Sequence, residues 1–140
     1  WQMKLAVNGT PFPIDDRCGI PEMIFKGTLE HFSEDKLARF RRRMCGSSGQ
    51  TEEFLSHTPT RTAEELREEL AALALGITAY GSSSFIWDRA IIGNRDKIFP
   101  PRNQHEAWQG TEIMETEAEH YETSLFSRLL EGKGEEWTRH

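Results

Sequence analysis

The stretch TEIMETEAEHYETSLFSRLLE, residues 111–131, decides how the fold is read. Met114, Ala118, Tyr121, Leu125 and Leu129 recur in it at spacings of three and four. That period predicts one long amphipathic helix over 111–131. Glu112, Glu115, Glu117, Glu119, Glu122 and Glu131 against Arg128 give it an acidic solvent face, and Gly132 is placed to cap it.

Two more helices are expected upstream. Ser33 before Glu34 and Asp35 is an N-cap followed by carboxylates at the positive end of a helix dipole. Leu37, Phe40 and Met44 then form the buried stripe of a helix over 34–45 that stops near Gly46, and Gly46 to Gly49 reads as a flexible joint. Thr62 with Glu65 makes a capping box for a helix over 62–77, whose stripe is Leu66, Leu70, Leu73 and Ile77. If that stripe is core, Leu73→Asp should unfold the domain, because an unpaired buried carboxylate costs several kcal/mol.

The remainder is less regular. Residues 2–7 alternate as a half-buried strand ending at Asn8-Gly9, which fits a tight turn and, with Thr10, a glycosylation sequon. Residues 23–32 fit a second short strand. Phe85 to Ile92 is bulky without a clean period, so helix and strand stay open. Gly93 to Asp96 reads as a turn, Pro100-Pro101 argues against a helix there, and Gly81 to Ser84 reads as a break. The expected fold is therefore mainly α: about three helices (34–45, 62–77, 111–131), one or two short N-terminal strands and long irregular connections. It forms a single domain over 1–140, with an irregular N-terminal region 1–33 and a helical body 34–131.

Composition narrows the function classes. The chain has 140 residues and a formal net charge of −6, an acidic balance that argues against nucleic-acid binding. Two cysteines, Cys18 and Cys45, exclude a disulfide framework and fit the free thiols of a reducing, intracellular compartment. A start at Trp1 is expected of a processed, cropped or excised product, and organelle presequence removal would leave such a start. From Leu70 to Trp87 no residue carries a formal charge. The length approaches one bilayer crossing, but its serines and glycines favour a buried segment over a membrane span at 70–87.

Two constellations carry candidate chemistry. Glu117 and His120 form a Glu-x-x-His step, the spacing that sets two metal ligands on one helix face. No second such step accompanies it, and both residues fall off the apolar stripe, so a solvated face is the expected role. No metal or other cofactor is expected. Arg39, Arg42 and Arg43 lie opposite the Leu37–Phe40–Met44 stripe and present a cationic face to an acidic protein partner or an anionic lipid. The serines and histidines fall in no Gly-x-Ser-x-Gly elbow, and there is no phosphate-binding glycine loop.

Trp1, Trp108 and Trp137 lie outside the periodic stripes, a pattern suited to interfaces with other subunits. The expectation is a non-catalytic accessory subunit of a larger multiprotein assembly, such as an organelle energy-converting complex, with membrane association left open. The alternative is a small soluble enzyme or metal protein using the Glu117/His120 region.

Overall fold

A computed structural model describes residues 4–57, 61–80 and 86–130. At its centre is a three-stranded, wholly parallel sheet: β1 (Leu5–Val7), β2 (Arg89–Gly93) and β3 (Glu112–Thr116), in that spatial order. Val7 pairs with Ile91 and Ile91 with Met114, so all three strands run in register. Parallel neighbours need crossover connections. Between β1 and β2 stand α1 (Glu22–Glu30), α2 (Glu34–Cys45), α3 (Ser48–His57) and α4 (Ala63–Tyr80). The β2-to-β3 crossover is α5 (Pro101–Ala107), and α6 (Thr123–Leu130) follows β3.

This is an α/β fold, and the mainly α expectation is corrected by the region that suggested it. Residues 112–116 of the supposed 111–131 helix are β3, and only 123–130 are helical. Four of the five stripe residues converge: Ala118 and Leu125 share a buried cluster with Ile91, and Met114 and Leu129 pack against it, whereas Tyr121 packs on Phe54 and Phe126. The four reach the cluster from a strand, a turn and a helix. The other face of β3 turns Ile113 toward Ala90, Ile92 and Trp108. This strand exposes Glu112 and Glu115 and half-buries Ile113 and Met114 between them on opposite faces, and over a short stretch that spacing of three mimics a helix.

The ambiguous run before Gly93 resolves as β2, buried at all of its positions. A central parallel strand packs on both faces, so it shows no alternation. Buried Arg89 pairs with Glu112 at 2.9 Å, which offsets the cost of its enclosed charge.

Residues 23–32, read as a second short strand, fall mostly in α1 (Glu22–Glu30). Pro101, read as a barrier, is the first residue of α5, where its fixed φ and missing N–H cost nothing. Trp108, assigned to a subunit interface, is 5% exposed and donates its indole N–H to the Gly9 carbonyl at 2.9 Å.

Two helices match their expected starts. Ser33 accepts from Lys36 N–H at 3.2 Å and Gly46 closes α2 at φ 79°; Thr62 accepts from Glu65 N–H at 3.1 Å ahead of α4. The joint at Gly46–Gly49 is a tight corner, with Ser47 accepting from Gln50 N–H at 3.2 Å to start α3. The α4 stripe is looser than expected, since Leu73 is 56% exposed. Among the described residues no helix is long and apolar enough to cross a membrane. The break at 81–84, the cap at Gly132, and Trp1 and Trp137 lie outside the described residues.

Candidate active site

Parallel strands deliver their carboxyl ends to one rim, and sites in α/β sheets form there. Asn8 follows β1, Asp96 lies three residues past the end of β2, and His120 lies four past the end of β3. The sheet brings the last two together: His120 Nδ1 is 2.9 Å from Asp96 Oδ2.

Every partner of the Asp96 carboxylate is a donor. Ile98 and Phe99 N–H groups bond Oδ1 at 2.8 and 2.9 Å, and Gln104 Nε2 lies 3.4 Å from Oδ2. An ionised carboxylate only accepts, so the proton in the Asp96–His120 bond sits on His120 Nδ1. That assignment leaves Nε2 as a lone-pair acceptor. The Asp96 side chain is fully buried, whereas His120 keeps 23% exposure. The Phe99 ring stacks on the imidazole at 5.9 Å and 17°. Gln104, wholly buried, also donates to the Phe99 carbonyl at 2.8 Å, holding the loop that carries both the ring and the N–H donors. The result is an imidazole fixed in tautomer and orientation and partly open to solvent, which is the arrangement of a general base.

The rim depends on close backbone approach at Gly93. A Cβ there would lie 2.5 Å from the Ala118 carbonyl oxygen and 3.0 Å from Asn8 Oδ1. Arg95 N–H donates to the same Ala118 carbonyl at 3.0 Å, stitching the two loops together. The Tyr121 N–H reaches the Met44 carbonyl at 2.9 Å, which anchors the histidine loop to the end of α2.

Among the described residues, no hydroxyl or thiol hydrogen-bonds His120 Nε2. The cysteines are also unsuited to act as nucleophiles. Burial pushes the Cys45 thiol up, reinforced by the Glu119 charge and only partly opposed by a Thr51 hydrogen bond. Burial also raises Cys18, as do Asp15 and Glu106, against Arg17. Such thiols stay protonated and weakly nucleophilic near neutral pH.

Beside the rim is an apolar cavity of about 310 Å³ lined by Ile24, Phe32, Leu37, Phe40, Leu70 and Ile98, among others. Ile98 belongs to both places: its side chain walls the cavity while its N–H holds Asp96.

The residues expected from sequence separate. Glu117 and His120 do not form a ligand pair. Glu117 is largely exposed and faces Arg95 at 3.4 Å, while His120 turns inward to Asp96. Arg39, Arg42 and Arg43 stand exposed on α2; Arg43 also lines the cavity and donates at 3.2 Å to the carbonyl of Lys97, the neighbour of Asp96. The sequence reading missed Asp96, which it treated only as part of a turn. A usable signal was present: an aspartate just beyond the apolar run that ends at Gly93, and a histidine further along the chain. In hydrolase triads of α/β folds the acid also precedes the histidine along the chain.

Residues 2–131 match the family described as Pimeloyl-ACP methyl esterase BioG. The chain belongs to this family. It is 47% identical over 131 residues to a Malonyl-[acyl-carrier protein] O-methyltransferase of Bacteroides fragilis, covering 92% of this chain and 27% of that protein. It is 43% identical over 124 residues to an uncharacterized protein of Haemophilus influenzae, covering 87% of this chain and 57% of that one. The crystal structure of BioG from Haemophilus influenzae superposes with a TM-score of 0.81 at 40% identity, over 89% of this chain and 58% of that chain. The chain thus spans between about a quarter and three fifths of the length of the relatives it matches.

Membership in a family of enzymes overturns the non-catalytic accessory-subunit reading. The relatives are bacterial, so nothing supports an organelle complex.

Proposed function

We propose that this chain carries the acid and base of an ester hydrolase acting on the methyl ester of a pimeloyl-acyl-carrier protein. The observation that supports this most is the 2.9 Å contact between His120 Nδ1 and the buried Asp96 carboxylate at the carboxyl ends of the strands. In this reading His120 Nε2 takes the proton of a nucleophilic hydroxyl as its oxygen adds to the ester carbonyl. The same proton then passes to the departing methoxide, which leaves as methanol. A water, deprotonated by Nε2, next attacks the acyl-enzyme and frees the carboxylate and the nucleophile. Asp96 stays ionised throughout and stabilises the imidazolium formed in each half-reaction. The nucleophile comes from the portion of the relatives' length that this chain does not span. The cavity beside Ile98 takes the methylene chain of the substrate.

The exposed Arg39, Arg42 and Arg43 face is assigned to an acidic protein partner, the carrier protein. Free Cys18 and Cys45 fit a reducing intracellular compartment. The methyltransferase activity named for the Bacteroides fragilis relative belongs, in this reading, to the part of that protein this chain does not match, since an Asp–His pair serves hydrolysis and not methyl transfer. The test is methanol release from the methyl ester of pimeloyl-acyl-carrier protein by the full-length protein bearing this chain. Release lost in His120→Gln and Asp96→Asn supports the reading; release unchanged by both sinks it.

A further inference from the structure

Asn8 occupies the one rim position so far without a chemical role. Its own N–H donates to the Ile91 carbonyl at 3.1 Å, extending the β1–β2 ladder, and its backbone takes a left-handed φ of 52°. Asparagine tolerates that conformation better than most side chains. The twist turns the side chain inward, where the residue is only 5% exposed. There Oδ1 accepts the Gly93 N–H at 2.9 Å, while Nδ2 donates to the Glu119 and His120 carbonyls at 3.2 and 3.1 Å.

One carboxamide therefore grips both catalytic loops. Its acceptor end holds the exit of β2, three residues before Asp96. Its donor end holds the backbone of His120 itself. Gly93 permits this grip, because a Cβ there would crowd Asn8 Oδ1. The burial and full engagement of the amide also remove the sequon reading of Asn8.

We infer that Asn8 is a positioning residue that fixes the spacing between Asp96 and His120 through their backbones. The inference rests on the acid–base reading of that pair. Loss of the carboxamide leaves two part-buried carbonyls and the buried Gly93 N–H to find other partners, and the loops separate to find them. A separation of a few tenths of an ångström stretches a short charge-assisted hydrogen bond.

The test is the His120 Nδ1 proton in the NMR spectrum of the labelled full-length protein. It resonates far downfield when held by a carboxylate, and exchange with water erases it when it is not. The wild-type signal is expected, with loss in Asp96→Asn and His120→Gln. Asn8→Gly keeps the φ without strain, and Asn8→Asp keeps the acceptor for Gly93 while placing an oxygen against two carbonyls. Both should lose or broaden the signal while the remaining amide spectrum stays dispersed. A purely structural Asn8 would lower thermal stability and leave this resonance where it was.

A signal that survives in both Asn8 variants but vanishes in Asp96→Asn overturns the positioning role and spares the acid–base pair. A signal absent from the wild type, or unchanged by Asp96→Asn, removes the acid–base pair and the Asn8 inference with it. Should both Asn8 variants fail to fold, the wild type decides. On gentle warming the Asn8 side-chain amide protons and the His120 Nδ1 proton should begin to exchange together. Free exchange of the amide beneath a protected imidazole proton overturns the inference.

Discussion

The rim at the strand ends and the helical insertion between β1 and β2 are built on different principles. At the rim, β2 is buried at every position and polar groups such as Asn8 and Asp96 are enclosed and hydrogen-bonded. In the insertion, α1 and α3 bury no residue completely, and Met23 and Leu75 stand 86% and 74% exposed. Catalytic geometry demands atoms fixed to fractions of an ångström, which a dense polar network on rigid strands supplies. An apolar chain and a protein partner demand only shape and charge, which looser helices can present.

The sharpest way to break this contrast is to attack the acid–base pair. Asp96→Asn keeps the volume but offers an amide where His120 needs a carboxylate, favouring the wrong tautomer. The expected loss in kcat is on the order of 10⁴-fold, as for triads of this type, with little change in melting temperature. Methanol release under saturating substrate measures it.

Next comes packing. Ile92 is fully buried, and Ile92→Ala should cost about 2–5 kcal/mol. Ile24 on α1 is 48% exposed, and Ile24→Ala should cost about 1 kcal/mol or less. Denaturant titration of the two variants side by side gives the ratio, and equal costs would mean that the insertion is as tightly built as the sheet.

These two regions were also unequally legible in sequence. Helix starts depend on local hydrogen bonds, so Ser33 and Thr62 announced α2 and α4 correctly. The sheet depends on partners far along the chain. Nothing near Glu112 says that Arg89 will lie beside it, and so glutamate-rich β3 passed for helix. The site was harder still, because Asp96 and His120 are 24 residues apart and meet only once β2 and β3 are known to be parallel. His120 was singled out, but on a helix it would have met Glu117 instead of Asp96.

A smaller effect is expected on the arginine face. Changing Arg39, Arg42 and Arg43 together to Gln should leave stability nearly unchanged, since all three are exposed on α2. Each lost ion pair with an acidic carrier should weaken binding by about 0.2–1 kcal/mol, and more at low salt, where screening is least. The readout is KM for the carrier-bound substrate against a small ester: a rise for both alike would place the arginines in the wrong role.

The smallest effect is expected at Leu73, where periodicity and structure disagree most. The stripe reading makes Leu73 core, and an aspartate there should unfold the domain. The structure leaves it 56% exposed on α4, beside Leu75 at 74%. At such a site the new carboxylate keeps its water, so the expected cost is only about 0.5 kcal/mol. Leu70, one helical turn earlier on the same cavity wall, is half-buried, and Leu70→Asp should be clearly worse. Melting curves of the two variants separate the possibilities. A mild Leu73→Asp beside a damaging Leu70→Asp means that the cavity wall of α4 is buried at Leu70 and open to water by Leu73. A Leu73→Asp as damaging as Leu70→Asp means that the exposed cavity edge at Leu73 is covered in the working protein, and that the looseness of the insertion ends where its cover begins.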